Sequence, residues 1–140
     1  MQMENATQSA MTYAMGRGQP LEAGKARELA SNLERVLVSR IGNDITSKVD
    51  VNHGAQRSYA GKSSSEAGNL ALAGSCYCPS MGSTGVSWNG AMVCGRPCTD
   101  GGSAGKFVYI EVSKPFSPIF GGYGLVENGQ LRLQTLGRIE

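Results

Sequence analysis

At 140 residues, 40% of them hydrophobic, the chain is long enough for one domain around one core. Charged residues make up 17% and the formal net charge is +2 without a basic run, so neither a disordered polyelectrolyte nor a nucleic-acid binder fits, the latter needing clustered Lys and Arg against phosphate. No stretch approaches the roughly 18 apolar residues that cross a bilayer, and no cationic start leads into an apolar block of the signal-peptide kind.

Met3, Ala6, Ala10, Tyr13 and Ala14 recur at helical spacing and predict an amphipathic helix over about residues 2–15. Gly16-Arg17-Gly18 is expected to end it, because glycine takes the left-handed C-terminal conformation without strain. Pro20 suits a first helical position, and Leu21, Ala26, Leu29, Ala30, Leu33, Val36, Leu37 and Ile41 set a second apolar stripe that Gly42 closes. Ile45, Val49 and Val51 alternate with Lys48 and Asp50, as in a half-buried strand.

Residues 52–74 are rich in Ser, Gly and Ala and predict a loop, with a short helical turn near 66–72. Val86 and Trp88, then Asn89-Gly90, then residues 91–94 read as a hairpin with a two-residue turn. Residues 99–105 form a Gly/Ser linker into the clearest strand, 107–112, where Val108, Ile110 and Val112 share one face and Phe107, Tyr109 and Glu111 the other. Pro115 and Pro118 cannot donate ladder hydrogen bonds, so pairing stops there until a last strand at 131–135, after Asn128-Gly129. The fold class is therefore α+β: N-terminal helices on a small antiparallel sheet, with a disulfide-stapled loop and hairpin region. One domain spans 1–140, with a helical part at 1–42 and a sheet part at 45–138, the latter carrying a cysteine-containing insertion over about 52–104.

Cys76, Cys78, Cys94 and Cys98 are the four cysteines, an even and clustered count that points to two disulfides and an oxidising compartment. The rival is a tetrahedral zinc site, but the spacings are C-x-C and C-x3-C in place of C-x2-C knuckles, with no histidine nearby. Nested pairing, Cys76–Cys98 with Cys78–Cys94, suits two antiparallel segments and is slightly preferred; the crossed pairing, Cys76–Cys94 with Cys78–Cys98, stays open because spacing does not fix connectivity.

Catalytic signals are weak. His53 is the single histidine and reads as a solvated turn residue, with no nucleophile or acid placed beside it by sequence. Phe120-Gly-Gly-Tyr-Gly lacks the Lys-Ser/Thr ending of a phosphate loop, so no cofactor site is read there. Phe116, Ile119, Phe120 and Tyr123 instead offer apolar area for a contact surface. Glu28 and Glu34, like Asp44 and Asp50, are scattered acids, and Asn5-Ala6-Thr7 is a formal glycosylation sequon inside a predicted helix.

An Ala-rich opening helix running into Ala-Met-Gly-Arg-Gly-Gln-Pro, a second Ala/Leu helix, the late element Ile110, Val112, Pro115, Phe116, Pro118 and a closing strand ending at Arg138 resemble the TadE-like family, minor pseudopilins of the tight-adherence (Flp) pilus system of bacteria. The resemblance implies a pilin-like soluble domain, a structural role in assembling or priming a type IV pilus, and no enzymatic activity. It implies contact with other pilin or pseudopilin subunits and the assembly machinery, and with the inner membrane through a helix that precedes residue 1; neither nucleic acid nor a small-molecule substrate is expected. Location in the cell envelope, periplasm or extracellular pilus follows. The alternative is a secreted or periplasmic adhesin-like binding module, in which residues 52–104 carry recognition and Trp88 and Tyr77 line a pocket.

Overall fold

The computed structural model describes residues 2–17, 22–115 and 130–140. Two helices, α1 (Gln2–Arg17) and α2 (Ala23–Ile41), lie on one face of a five-stranded antiparallel sheet. Its strands are β1 (Thr46–Val51), β2 (Ala55–Ala60), β3 (Ser63–Ala67), β6 (Phe107–Pro115) and β7 (Gln130–Arg138), in the spatial order β3-β2-β1-β6-β7. A separate hairpin pairs β4 (Ser80–Gly82) with β5 (Gly85–Ser87). The α+β class expected from sequence is the one observed.

The helix layer follows from the apolar stripes. Ala6, Ala10 and Ala14 of α1 and Ala26, Leu29, Ala30, Leu33 and Leu37 of α2 are all buried, small side chains letting the two rods pack closely. Asn32 Nδ2 donates to Tyr13 Oη at 3.1 Å across that contact. α2 covers β1 and β2, while α1 covers β6 and β7. Register then decides which side chains meet the helices: Val49 stands opposite Ile110 and Val51 opposite Val108, all of them buried, and each such side chain contributes roughly 1.5–3 kcal/mol. The intervening residues Lys48, Asp50, Tyr109 and Glu111 consequently point to the other face. Pro115 stands opposite Gln130 at the last described position of the β6–β7 ladder, where it offers no N–H to donate.

Several expectations are corrected. Residues 52–74 are not a loop: they hold β2, β3 and a short 3₁₀ helix, Leu70–Gly74, later in the chain than the turn expected at 66–72. Gly61 and Lys62 both have positive φ, +58° and +65°, and make the two-residue turn that joins β2 to β3. α1 continues through Gly16 to Arg17, beyond the expected end near residue 15, and Gly18 of the expected stop lies outside the described residues. The hairpin expected around Asn89-Gly90 does not form; β5 pairs back onto β4 through Ser83-Thr84, although Asn89 does adopt φ +64°. Gly18, Pro20, Leu21, Pro118, Asn128, Gly129 and the contact candidates Phe116, Ile119, Phe120 and Tyr123 lie outside the described residues.

Candidate functional site

Residues 76–105 form a cap on the sheet face opposite the helices, so the insertion expected at 52–104 divides: its first part widens the sheet and its second part covers it. The cap holds little regular structure, one hairpin of two three-residue strands and the single antiparallel bridges Cys76 to Met92, Tyr77 to Gly105 and Pro97 to Ser103. Two disulfides add covalent ties within it. They join Cys76 to Cys94 and Cys78 to Cys98, so the pairing is crossed, and the nested arrangement is not the one found. The reason is local. Cys76 already lies beside Met92, and the chain reverses at Gly95 (φ +85°), which brings Cys94 to Cys76 and lets the returning Cys98 reach Cys78. Sequence separations of 18 and 20 correspond to about 3 kcal/mol of loop-closure stabilisation apiece in the chain-entropy account. Both bridges take up the thiols that a zinc site would need.

Beneath the cap lies a second apolar cluster, distinct from the helix–sheet core: Tyr77, Trp88 and Tyr109, flanked by Val86, Phe107 and Leu136. Trp88 Nε1 donates to Asp50 Oδ2 at 2.9 Å, and Gln56 Nε2 donates to the same oxygen at 3.3 Å. Burial raises the Asp50 carboxyl above its ordinary value against the opposing pull of Trp88, His53 and Gln56. His53 is a turn residue with φ +63°, as its place after a strand predicts, but it is half-buried in place of fully solvated. Its ring stacks on Trp88 at 5.7 Å and meets Tyr77 edge-on at 5.4 Å, and Nδ1 is buried without a hydrogen-bond partner among the described residues.

Asn52, fully buried with φ +50°, clamps both roots of the cap. Its Nδ2 donates to Ala73 O at 2.8 Å and Ser75 O at 2.7 Å, its Oδ1 accepts from Phe107 N at 3.2 Å, and its own N donates to Phe107 O at 2.8 Å. Gly54 permits the close approach that this requires, since a Cβ there would stand 2.6 Å from the Ala73 nitrogen.

Toward β7, Tyr109 Oη donates to Glu111 Oε1 at 2.8 Å, and Arg132 Nη2 donates to the same oxygen at 2.6 Å. Burial pushes the Glu111 carboxyl up, but the Tyr109 and Arg132 hydrogen bonds and the charges of Arg132 and Lys48 outweigh it and leave it lowered. Burial, then Glu111, push the Tyr109 phenol well above the usual tyrosine range. Gln134 Nε2 to Gly82 O at 2.8 Å and Arg132 Nη1 to Ser83 O at 2.9 Å pin the β4–β5 turn to the sheet. A polar cleft of about 190 Å³ remains between that turn and β1–β2, lined by Lys48, Asp50, Gln56, Thr84, Tyr109 and Glu111 among others. On the helix side a shallow groove of about 720 Å³ runs between α1 and β7, with Met11, Met15, Leu133 and Gly137 in its walls.

Of the acids read as scattered, Glu34 is buried and bonded to Arg57, whose Nη1 reaches Glu66 at 2.9 Å, while Glu66 also takes Arg27. Sequence reading missed this chain of charges because its members come from α2, β2 and β3. Thr7 of the sequon is buried and donates to Met3 O at 2.7 Å. Among the described residues no group of three or more His, Cys, Asp or Glu could hold a metal, and no helix is long and apolar enough to cross a membrane.

No family model, no curated protein and no solved structure matches the chain. What the arrangement does establish is a compartment: two disulfides place the protein in an oxidising, extracellular or periplasmic setting.

Proposed function

We propose that the protein is a structural, non-enzymatic subunit of the minor-pseudopilin kind, acting in the assembly or tip priming of a tight-adherence pilus. The observation that carries the reading is the position of the late motif. Ile110 and Val112 are buried residues on β6, an interior strand of the sheet, so these two residues of the element that resembles the family belong to the core of the domain. Helices on one face and a stapled cap on the other suit a subunit that works outside the cytoplasm without chaperone support. In this reading the helix layer turns toward the filament and the membrane, the cap turns outward, and the partners are other pilin or pseudopilin subunits and their assembly machinery. Neither nucleic acid nor a small-molecule substrate is involved.

The test is a fractionation in the bacterium that carries the gene, with a C-terminal epitope tag and antibody detection. The protein should co-purify in low copy with filaments sheared from the cell surface. Recovery only in the filament-free soluble fraction would overturn the reading.

The alternative of an adhesin-like binding module rests on the 190 Å³ polar cleft beside the β4–β5 turn. Tyr77 and Trp88, the rings it relies on, are only 1% and 5% exposed and pack into the second cluster.

A further inference from the structure

Both disulfides join the cap to itself. Cys76, Cys78, Cys94 and Cys98 all lie within residues 76–105, and neither bridge reaches the helices or the five-stranded sheet. The apolar cluster under the cap is separate from the helix–sheet core, which contains α1, α2 and the inward faces of β1, β2 and β6. Within the cap, two three-residue strands and single bridges leave most of the chain without ladder support. The roots are held differently. Asn52 fixes Ala73, Ser75 and Phe107 from within β1's end of the sheet, by hydrogen bonds that do not depend on the cysteines.

Access to the two bridges differs: Cys78 and Cys98 are both half-buried, and neither is as open as Cys94. Cys94 is exposed, whereas its partner Cys76 is 3% exposed. We propose that residues 76–105 are a redox-released lid: thiol–disulfide exchange entering at Cys94 opens the Cys76–Cys94 bridge and lifts the lid from the sheet, while the helices and five strands stay folded. The reductant is a dithiol. Its thiolate attacks Cys94 Sγ, the Cys94–Cys76 bond breaks and Cys76 leaves as a thiolate that takes a proton. The second thiol then displaces Cys94, so the dithiol becomes a cyclic disulfide and the protein gains two electrons and two protons. Cys78–Cys98 is opened by a second equivalent. Lifting the lid parts Trp88 from Asp50 and bares Phe107, Tyr109 and Leu136.

Trp88 is the single tryptophan, so its fluorescence reports the lid alone. The full chain is titrated with dithiothreitol, with thiols alkylated and mapped by mass, Trp88 quenching by acrylamide, and far-ultraviolet circular dichroism followed together. The expected result is labelling of Cys76 and Cys94 before Cys78 and Cys98, a several-fold rise in Trp88 quenching, and a helical signal that persists. The double variant Cys76→Ser with Cys94→Ser should show raised quenching without reductant and the same helical signal. Three outcomes overturn the proposal: Trp88 still shielded once all four thiols are labelled, helical signal lost together with Trp88 shielding, or Cys78 and Cys98 labelled first.

Discussion

The indole of Trp88 hangs from the carboxylate of Asp50 at 2.9 Å, a contact between the cap and β1 across 38 positions of sequence. Asp50 Oδ1, the other oxygen, is buried with no hydrogen-bond partner among the described residues. One carboxyl group therefore both anchors the cap and resists ionisation, since burial raises its pKa above 3.8.

A carboxyl whose folded pKa lies above its unfolded value favours the folded state below the unfolded pKa, and that advantage fades as the pH rises through the folded pKa. The window for Asp50 thus opens at its ordinary value and extends upward. Asp50→Asn keeps an acceptor for Trp88 but does not titrate. Measured by urea unfolding, the stability difference between wild type and Asp50→Asn should shift in favour of wild type on going from about pH 7 to about pH 4. A difference that stays flat, or shifts toward the variant, contradicts the assignment.

Asn52 is the residue whose loss should unfasten the cap's roots. Asn52→Asp keeps size and left-handed tolerance but removes the two N–H bonds to Ala73 and Ser75 and places a carboxylate against their carbonyls. The expected cost is about 2–3 kcal/mol in chemical denaturation. A loss below about 0.5 kcal/mol would show that the clamp is not energetically significant.

The ion pairs of α2 should separate by burial. Glu34 and Arg57 side chains are 7% and 19% exposed, whereas Arg27 is 62% exposed. Glu34→Gln strips the first and largest support of the Arg57 guanidinium and should cost about 1–2 kcal/mol, Glu66 keeping part of the interaction. Arg27→Ala should leave the denaturation midpoint unchanged, because exposed pairs are screened and entropically costly. Equal effects of the two changes would contradict the ranking.

Ser47 sits on the inward face of β1 opposite Val112, 1% exposed, and its hydroxyl has no partner among the described residues. Ser47→Ala removes that unmet group, and the variant should be more stable by about 1 kcal/mol in thermal or urea unfolding. Destabilisation beyond about 1 kcal/mol would instead mean that the hydroxyl is hydrogen-bonded.

How much of this was legible in sequence depended on where the signal lay. The helices, β1 and β6 announced themselves because Leu33, Leu37, Val49 and Ile110 recur at the right period for one buried face. β2 and β3 did not, since Ala-Gln-Arg-Ser-Tyr-Ala and Ser-Ser-Ser-Glu-Ala carry no β-branched residue, and β3 is an exposed edge. The Gly61-Lys62 turn was the available clue. The cap's disulfides could be counted but not paired, because connectivity is set by the chain reversal at Gly95. His53 was placed in a turn correctly, yet its stacking on Trp88 depends on the cap folding back over β1, which no local pattern encodes.

The functional claim is tested most directly by deleting the gene in the bacterium that carries it and counting surface filaments by electron microscopy. A structural pseudopilin predicts strongly reduced filament numbers, restored by the wild-type gene in trans. Filament numbers that remain unchanged in the deletion strain would contradict it.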